Sequence, residues 1–154
     1  MPGLDCACGS GRRYPDCCRP FHRYEREAPD AESLIRARFS AFALGNAGFL
    51  RKTLHPEHED SKLSEEEATS DVRKAARMLR YRSVRVLEVG APDATGAVAA
   101  VFLARIFQSG KERSFVERSL FLHDGTGLRY RSGITRPVGE IKGDPAALRL
   151  ADFA

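Results

Sequence analysis

The 154-residue sequence contains no tryptophan, and none of its apolar runs approaches the roughly 18 residues of a membrane-spanning helix. We therefore expect no insertion into a membrane. The first six residues carry neither a basic nor an apolar stretch, so the sequence predicts no secretion signal and a cytoplasmic location. A phosphate-binding glycine loop, a dinucleotide fingerprint and a Ser-His-Asp pattern are also missing, which removes the motifs of several common enzyme classes.

The charge of the chain is modest. Lys and Arg number 25 and Asp and Glu number 21, which leaves a net charge of +4. A charge of this size permits contact with nucleic acid without implying it, and we expect no DNA partner. An acidic run over residues 57–71 precedes a basic run over residues 73–85. We interpret both as solvated surface, with contact to ribosomal RNA as the alternative for the basic run.

Three regions of the chain differ in pattern. Residues 1–29 hold all four cysteines and four of the eight prolines but little periodic apolar content, so burial alone would not order them. Residues 30–134 carry the periodic apolar pattern of a folded domain. Residues 135–154 are predicted to form a loosely held tail with one short helical turn.

The first half of the central region contains helical patterns. Asp30 predicts the start of a first helix and Gly45 its end. A short second helix is predicted to reach Leu54 and to stop before Pro56, because the residue before proline avoids the helical conformation. Ser64, followed by three glutamates, predicts the start of a third helix.

From residue 80 onward the pattern is typical of strands. A change in the alternation near Val86 indicates a bulge. Residues 97–107 are almost continuously apolar, as in a central strand, and residues 124–127 form a strong hairpin turn before a last strand over residues 128–134. Helices followed by an antiparallel meander predict an α+β fold with the helices on one face of the sheet.

The strongest chemical signal is the cysteine spacing of residues 6–18, Cys-x-Cys-x8-Cys-Cys. Each pair can bring two sulfurs to one ion, and the intervening loop brings the pairs together. Four thiolates at ~2.3 Å in a tetrahedron match a closed structural zinc site with no open position for water. Zn2+ is the predicted ion, with iron as the alternative because it accepts the same ligands. The predicted metal ligands are Cys6, Cys8, Cys17 and Cys18.

Two other interpretations of the cysteines stay open, namely cross-paired disulfides and unrelated thiols. A chain without a secretion signal keeps its thiols reduced, which favours metal. His22 could be a substitute ligand, but four cysteines already complete a tetrahedron. Four thiolates around a divalent ion leave a charge of about −2. We expect the amides of the Gly-Ser-Gly turn and the side chains of Arg12, Arg13 and Arg19 to offset that charge.

The sequence Cys-x-Cys-Gly-Ser-Gly-x-x-Tyr-x-x-Cys-Cys resembles the SEC-C motif. This small metal-binding module is found at the carboxyl end of the SecA translocase and in many stand-alone bacterial proteins. The last ligand in that family is Cys or His, and Cys18 takes its position here. The resemblance implies binding to protein partners, including the export chaperone SecB, and to the ribosome.

The rest of the chain resembles the YchJ family, which joins this module to a nuclear transport factor 2-like, or SnoaL-like, domain. Residues 36–42, 53–56 and 117–121 carry the resemblance. It implies a cystatin-like cone, in which helices pack on a curved antiparallel sheet, preceded by a metal-binding knuckle. The implied domains are a SEC-C motif with its linker over residues 1–29, the cone over residues 30–134 and a C-terminal tail.

The cone fold normally encloses a cavity between its sheet and its helices. The polar residues that we expect to line it are His55, Tyr81, Glu117 and Tyr130. Glu117 lies in an apolar strand and could serve as a general base. We favour instead an ion pair with Arg36 or Arg38, since buried charges are usually matched. His55 is interpreted as a hydrogen-bonding residue at a helix end.

These observations favour a non-enzymatic accessory or adaptor protein. Its knuckle (residues 6–19) would bind zinc and thereby present Arg12, Arg13, Tyr14 and Arg19 to a macromolecular partner, the ribosome or the protein-export machinery by resemblance. A saturated metal site offers structure rather than Lewis-acid catalysis. One alternative is a small-molecule-binding protein or enzyme that uses the cone cavity, with Glu117 as base or anchor. Another is a redox sensor that releases its metal when the thiolates are oxidised.

Overall fold

A computed structural model describes residues 5–153 of the chain. Its α-helices are α1 (Arg19–His22), α2 (Ala31–Leu44), α3 (Ala47–Lys52) and α4 (Glu65–Met78). Short 3-10 turns lie at Tyr14–Asp16 and Glu59–Lys62, and further ones follow the last strand at Val138–Glu140, Pro145–Ala147 and Leu150–Phe153. Within the described residues, no helix combines the length and the apolar character that a membrane span requires.

The helix ends follow local sequence signals. The Asp30 carboxylate accepts a hydrogen bond from the amide of Ser33 at 2.8 Å, which begins α2 as predicted. Gly45 ends α2 in the left-handed conformation, at φ +71°. The hydroxyl of Ser64 accepts from the amide of Glu67 at 3.1 Å and begins α4.

The second predicted helix is shorter than expected. It ends at Lys52, because the carbonyl of Thr53 accepts from the amide of Tyr130 in β5 at 2.8 Å instead of from a further helical amide. Leu54, predicted to be helical, instead forms an isolated parallel bridge with Tyr130. The chain after α3 is thus tied to the sheet.

The sheet is antiparallel throughout. Its strands are β1 (Arg80–Val89), β2 (Val98–Gln108), β3 (Lys111–Glu112), β4 (Phe115–His123) and β5 (Leu128–Pro137). Their order is β1-β2-β4-β5, with β3 paired to the end of β2. The predicted bulge falls between Val86 and Glu88, and the predicted hairpin turn joins β4 to β5. The last strand runs three residues beyond the predicted residue 134.

The main core lies between the helices and one face of the sheet. Leu34 and Ile35 of α2 pack against Val84 of β1, Ala104 of β2 and Phe121 of β4, and all five are buried. Successive residues of a strand point to opposite faces, so only alternate positions join this core. The predicted α+β fold, with helices on one face of an antiparallel sheet, is confirmed.

The C-terminal segment packs on the other face of the sheet, contrary to the loosely held tail that we expected. Phe153 is buried in a second apolar cluster with Val101 of β2 and Val116 of β4. The amide of Leu150 donates to the carboxylate of Glu88 at 2.7 Å. The apolar residues of this segment are irregularly spaced, so its sequence shows no helix or strand period, although together they pack against the middle strands on this face.

Candidate metal centre

The four cysteine sulfurs lie together, as the spacing predicts. All four Sγ atoms are within 4.8 Å of one another and all four residues are buried. The Sγ of Cys17 is 3.6 Å from that of Cys8 and 3.9 Å from that of Cys18. Sulfurs at ~2.3 Å from a tetrahedral ion are separated by about 3.8 Å, so the donor set fits one ion. The cysteines are free thiols, which removes the disulfide interpretation.

The backbone of the knuckle folds into a tight loop that brings the two cysteine pairs together. The amide of Cys6 donates to the carbonyl of Arg12 at 2.9 Å, and the amide of Gly9 donates back to Cys6 at 3.1 Å. Gly9 has φ +83°, a conformation that residues with side chains resist. A 3-10 turn then leads to Cys17, whose amide donates to Tyr14.

Polar groups surround the sulfurs and supply positive charge and hydrogen bonds. The hydroxyl of Ser10 is 3.2 Å from the Sγ of Cys17, and a guanidinium nitrogen of Arg12 is 3.7 Å from the same sulfur. Arg36 of α2 reaches the Sγ of Cys8 at 3.9 Å and its carbonyl at 3.4 Å. The sequence predicted the contribution of Arg12. It missed Arg36, because 28 residues separate that arginine from Cys8.

The four thiols hold their protons unequally. Hydrogen bonds from Cys18 and then from Cys6 stabilise the thiolate of Cys8 and lower its pKa. The pKa of Cys18 is raised, because its own thiol takes part in hydrogen bonds with Cys6 and Cys8 and because it is buried. Metal ligation requires all four thiolates, so the cluster releases protons when it takes up an ion.

His22 lies beside the cluster without joining it. Its Nδ1 accepts from the hydroxyl of Tyr14 at 2.7 Å, and its Nε2 donates to the carbonyl of Ala37 at 2.7 Å. Both ring nitrogens are therefore engaged, and the ring packs tilted against Phe49. The expectation that four cysteines leave no role for this histidine as a ligand agrees with these contacts.

The knuckle is docked on the cone domain. The carbonyl of Cys8 accepts from the amide of Val84 at 3.1 Å, so the loop adds to the outer edge of β1. A Cβ on Gly9 would lie 2.6 Å from the Cβ of Ser83, which shows how closely the two backbones approach. The cysteines also belong to the same apolar cluster as Leu34 and Ile35. The metal site and the domain core are thus continuous.

The predicted partner-binding residues differ in accessibility. Arg12 and Arg13 are exposed, whereas Tyr14 and Arg19 are half-buried. The hydroxyl of Tyr14 is engaged with His22, so this side chain serves the interior of the protein at least in part.

Three of the four predicted cavity residues line one space between α2 and the sheet, namely Tyr81, Glu117 and Tyr130. The carboxylate of Glu117 accepts from the hydroxyls of Ser119 at 2.6 Å and Tyr130 at 2.7 Å, and from Thr135 at 3.2 Å. The predicted ion pair of Glu117 is wrong. Neither candidate arginine lies within 4.0 Å of it among the described ion pairs, and these hydroxyls take the place of a cation.

The fourth predicted residue, His55, is buried outside this cavity. Its amide donates to the carbonyl of Tyr130 at 2.9 Å, and its Nδ1 accepts from the amide of Glu57 at 3.1 Å. The residue follows the short bridge between Leu54 and β5 rather than ending a helix. Hydrogen bonding was predicted for it, but at a different place in the fold.

Comparison with known proteins agrees with this architecture. The family model described as the YchJ middle NTF2-like domain matches residues 30–133. The UPF0225 protein YchJ of Shigella dysenteriae is 34% identical over 132 residues, which cover 86% of this chain and 83% of that protein. A UPF0225 protein of Deinococcus radiodurans is 52% identical over 56 residues, or 36% of this chain and 43% of that protein.

Two solved structures are similar in fold. The solution structure of a SEC-C motif containing protein from Rhodopseudomonas palustris has a TM-score of 0.69 and 28% identity, and covers 84% of this chain and 96% of that chain. The crystal structure of a SEC-C motif containing protein from Psychrobacter arcticus has a TM-score of 0.65 at 20% identity, over 84% of this chain and 80% of that chain.

The fold and the cysteine cluster together define an NTF2-like domain with an N-terminal SEC-C-type motif. The chain belongs to the YchJ family.

Proposed function

We propose that this protein is a zinc-binding cytoplasmic accessory protein whose knuckle binds a macromolecular partner, with the ribosome as the first candidate and the protein-export machinery as the second. The observation that carries the proposal is a closed, buried four-sulfur site bordered by exposed arginines. The proposed role of the metal is to fix the loop that displays them.

The chemistry of the site supports a structural role for the ion. Four cysteine ligands fill a tetrahedron and leave no position for a substrate or an activated water. Zinc suits four thiolates, has no redox chemistry of its own and holds this geometry without strain. The chain would bind it through Cys6, Cys8, Cys17 and Cys18, with Ser10, Arg12 and Arg36 donating to the sulfurs.

The charge around the knuckle supports an anionic partner. Among the described residues, the ion pairs within 4.0 Å involve neither Arg12 nor Arg13 nor Arg19. Two further exposed arginines, Arg82 and Arg85, flank the residues of β1 that touch the knuckle. Exposed arginines without a carboxylate partner among the described residues, here Arg12, Arg13, Arg82 and Arg85, gain most from phosphate or carboxylate groups on another molecule.

The ribosome is preferred because phosphate binding accounts for several arginines at once, and arginine forms bidentate contacts with phosphate. The related structure from Rhodopseudomonas palustris is that of a SEC-C motif containing protein. The ribosomal and export partners themselves are implied only by the resemblance of residues 6–18 to that motif. An acidic surface of an export protein would use the same arginines. The two candidate partners are distinguished by what the protein sediments with. They are also distinguished by salt, because a complex made through phosphate contacts weakens steeply as the salt concentration rises.

The test is a charge reversal that leaves the four sulfurs intact. The double variant Arg12→Glu/Arg13→Glu should reduce cosedimentation with purified ribosomes by about tenfold or more at low salt. The matched control is Arg73→Glu/Arg77→Glu on α4, which changes the charge equally but away from the knuckle and should sediment as the wild type does. Zinc content is measured in both variants.

Equal loss in both double variants would show either nonspecific charge attraction or contact through the basic run over residues 73–85, and would overturn the knuckle as the binding surface. Unchanged sedimentation of the knuckle variant would overturn the ribosomal proposal. Capture of export components by the wild type, with loss in the knuckle variant alone, would place the partner in that second class. A Cys8→Ser variant is less informative about the arginines, since it removes a metal ligand and so changes the whole loop at once.

A further inference from the structure

The cavity that Tyr81, Glu117 and Tyr130 line has the character of a small-ligand site. It lies between α2 and the sheet, has a volume of about 170 Å³, and is walled mainly by aromatic side chains. The aromatic residues are Phe39, Phe42, Tyr81, Phe102, Phe115, Phe121 and Tyr130. Pockets for drug-sized ligands measure about 300–1,000 Å³, so an occupant of this one must be small. The walls favour an apolar body.

Two charged groups border the cavity, and one of them has little hydrogen-bonding capacity to spare. Glu117 is 8% exposed and its carboxylate already accepts three hydrogen bonds, from Ser119, Tyr130 and Thr135. A carboxylate has about four lone-pair sites, so most of its capacity is used within the protein. This side chain is therefore a poor anchor for a further donor.

The other charged group, Arg38, is only partly satisfied. It is 9% exposed, and its Nη1 donates to the carbonyl of Leu50 at 3.0 Å and to the hydroxyl of Thr53 at 2.6 Å. Its Nε and Nη2 donate to no other described residue. Every fully enclosed side-chain nitrogen and oxygen of the described residues has a partner, so these remaining N–H groups are not fully enclosed. Arg38 borders this cavity and also a groove beneath α3 and α4.

Among the described residues, Arg38 forms no ion pair at close range, and the carboxylate of Glu117 stabilises its charge from farther away. Burial lowers the pKa of Arg38 to about 10, which leaves the guanidinium cationic at neutral pH. Among the described ion pairs within 4.0 Å, none includes this arginine. Its guanidinium lies 4.8 Å over the ring of Tyr130, an interaction that leaves the in-plane N–H groups free.

We propose that this cavity binds a small monocarboxylate with an aromatic or branched aliphatic body. The carboxylate would accept from Nε and Nη2 of Arg38, the two-point geometry that a guanidinium offers. The apolar body would lie among the phenylalanines. Such a ligand supplies acceptors and a counter-charge in direct contact with a buried cation, and it removes apolar surface from water.

The probes are benzoate and 3-methylbutanoate, with benzamide as the neutral analogue and benzylamine as the cationic one. Binding to the full chain is followed by two-dimensional NMR and by calorimetry. Both carboxylates should bind saturably and shift the amides of α2, β2 and β4, and benzamide should bind at least about tenfold more weakly because it lacks the charge.

Two variants locate the site. Ala104→Leu fills the cavity from β2 and should abolish binding while leaving Arg38 in place. Arg38→Lys keeps the charge but loses the two-point geometry, and should weaken binding about tenfold. The matched control Arg85→Lys makes the same change at an exposed position and should bind as the wild type does. Zinc content and circular dichroism show that each variant is folded.

The proposal fails if neither carboxylate binds saturably at millimolar concentration. It also fails if benzylamine binds more tightly than benzoate, which would assign the anchor to Glu117. Unchanged binding in folded Ala104→Leu would place the ligand elsewhere on Arg38, in the groove that the arginine also borders beneath α3 and α4, and would overturn the cavity assignment.

Discussion

The four cysteines of the knuckle and the core residues of the cone domain are buried to similar degrees by different means. In the knuckle the four cysteines are at most 5% exposed, but they are surrounded by hydroxyls, amides and guanidinium groups. In the cone the most buried large side chains include Phe121, Leu34 and Val101, which exclude water by apolar packing. One region is suited to order around an ion, and the other around an apolar core.

The difference teaches where stability should come from in each region. The knuckle has tight turns and few large apolar side chains, so it cannot offset the entropy of ordering by burial alone. The cone offsets that entropy with two apolar clusters, one on each face of its sheet. The two regions nevertheless meet along β1, where Cys8 bonds to Val84. Changes to either region, or to the seam between them, test this division.

The largest effect is expected from loss of the metal. Cys8→Ser, or a strong chelator, should release the ion and open the knuckle, because structural zinc sites contribute on the order of 10–16 kcal/mol in zinc-finger peptides. Hydrogen exchange should show early loss of protection at the amides of Cys6 and Cys17, with β2 and β4 protected for longer. Ser10→Ala, which removes a contact but no ligand, should retain the metal.

Separate stabilisation of the knuckle and the cone is contradicted if β2 and β4 lose protection in the same step as the knuckle. That result would mean that the ion stabilises the whole chain as one cooperative unit.

Truncation of a core side chain in the cone should lower the stability of the sheet and leave the metal in place. Phe121→Ala removes a ring that is 1% exposed and should lower the free energy of unfolding by about 3–5 kcal/mol. Urea denaturation measures the loss, and metal analysis of the folded variant should find the same zinc content as in the wild type. Loss of zinc from the folded variant would show that the knuckle depends on this core for its geometry.

The contact between the knuckle and β1 is tested by Gly9→Ala. The substitution adds a Cβ at φ +83°, 2.6 Å from the Cβ of Ser83, and should cost about 2–4 kcal/mol. Gly11→Ala is the matched control, since Gly11 has nearly the same φ, +84°, with nothing within 4 Å of the added atom. It should cost only about 1–2 kcal/mol. Equal costs in thermal unfolding would contradict a tight dock between the knuckle and β1.

The smallest effect concerns the hairpin turn and is pH-dependent. Burial raises the pKa of Asp124, but hydrogen bonds from Thr126, Arg129 and Gly127 outweigh it and hold the pKa below its ordinary value. A depressed carboxyl pKa stabilises the folded state above the unfolded value of about 4, and the benefit is lost as the pH falls below it. Asp124→Asn should therefore be less stable than the wild type at pH 7.

The gap between the urea midpoints of Asp124→Asn and the wild type should narrow steadily below about pH 4. A gap that stays constant down to pH 2 would show that the charge of this carboxylate contributes nothing. Unfolding is followed at the strands and not at the knuckle, since acid also protonates the cysteine ligands and releases the metal.

Local signals allowed much of the architecture to be predicted. Asp30, Gly45 and Ser64 act within one helical turn, so the ends that they mark were identified from the sequence. The cysteine spacing is similarly local, because only eight residues lie between Cys8 and Cys17. These features need no knowledge of the tertiary fold.

The features that were missed depend on contacts distant in sequence. Glu117 receives its hydroxyl donors from β4 and β5, and only the strand register brings Thr135 opposite to it. Arg36 meets Cys8 because α2 packs beside β1. The C-terminal cover of the sheet likewise lacks a periodic pattern, since irregular turns rather than a helix or strand place Phe153 in its cluster.

X-ray absorption at the metal edge, combined with elemental analysis of the purified full chain, tests the claim on which the assignment of the knuckle depends. We expect one zinc atom per chain with four sulfur neighbours at ~2.3 Å and no nitrogen or oxygen neighbour. A chain purified under reducing conditions without stoichiometric metal, or with a coordination shell containing fewer than four sulfurs, would contradict it.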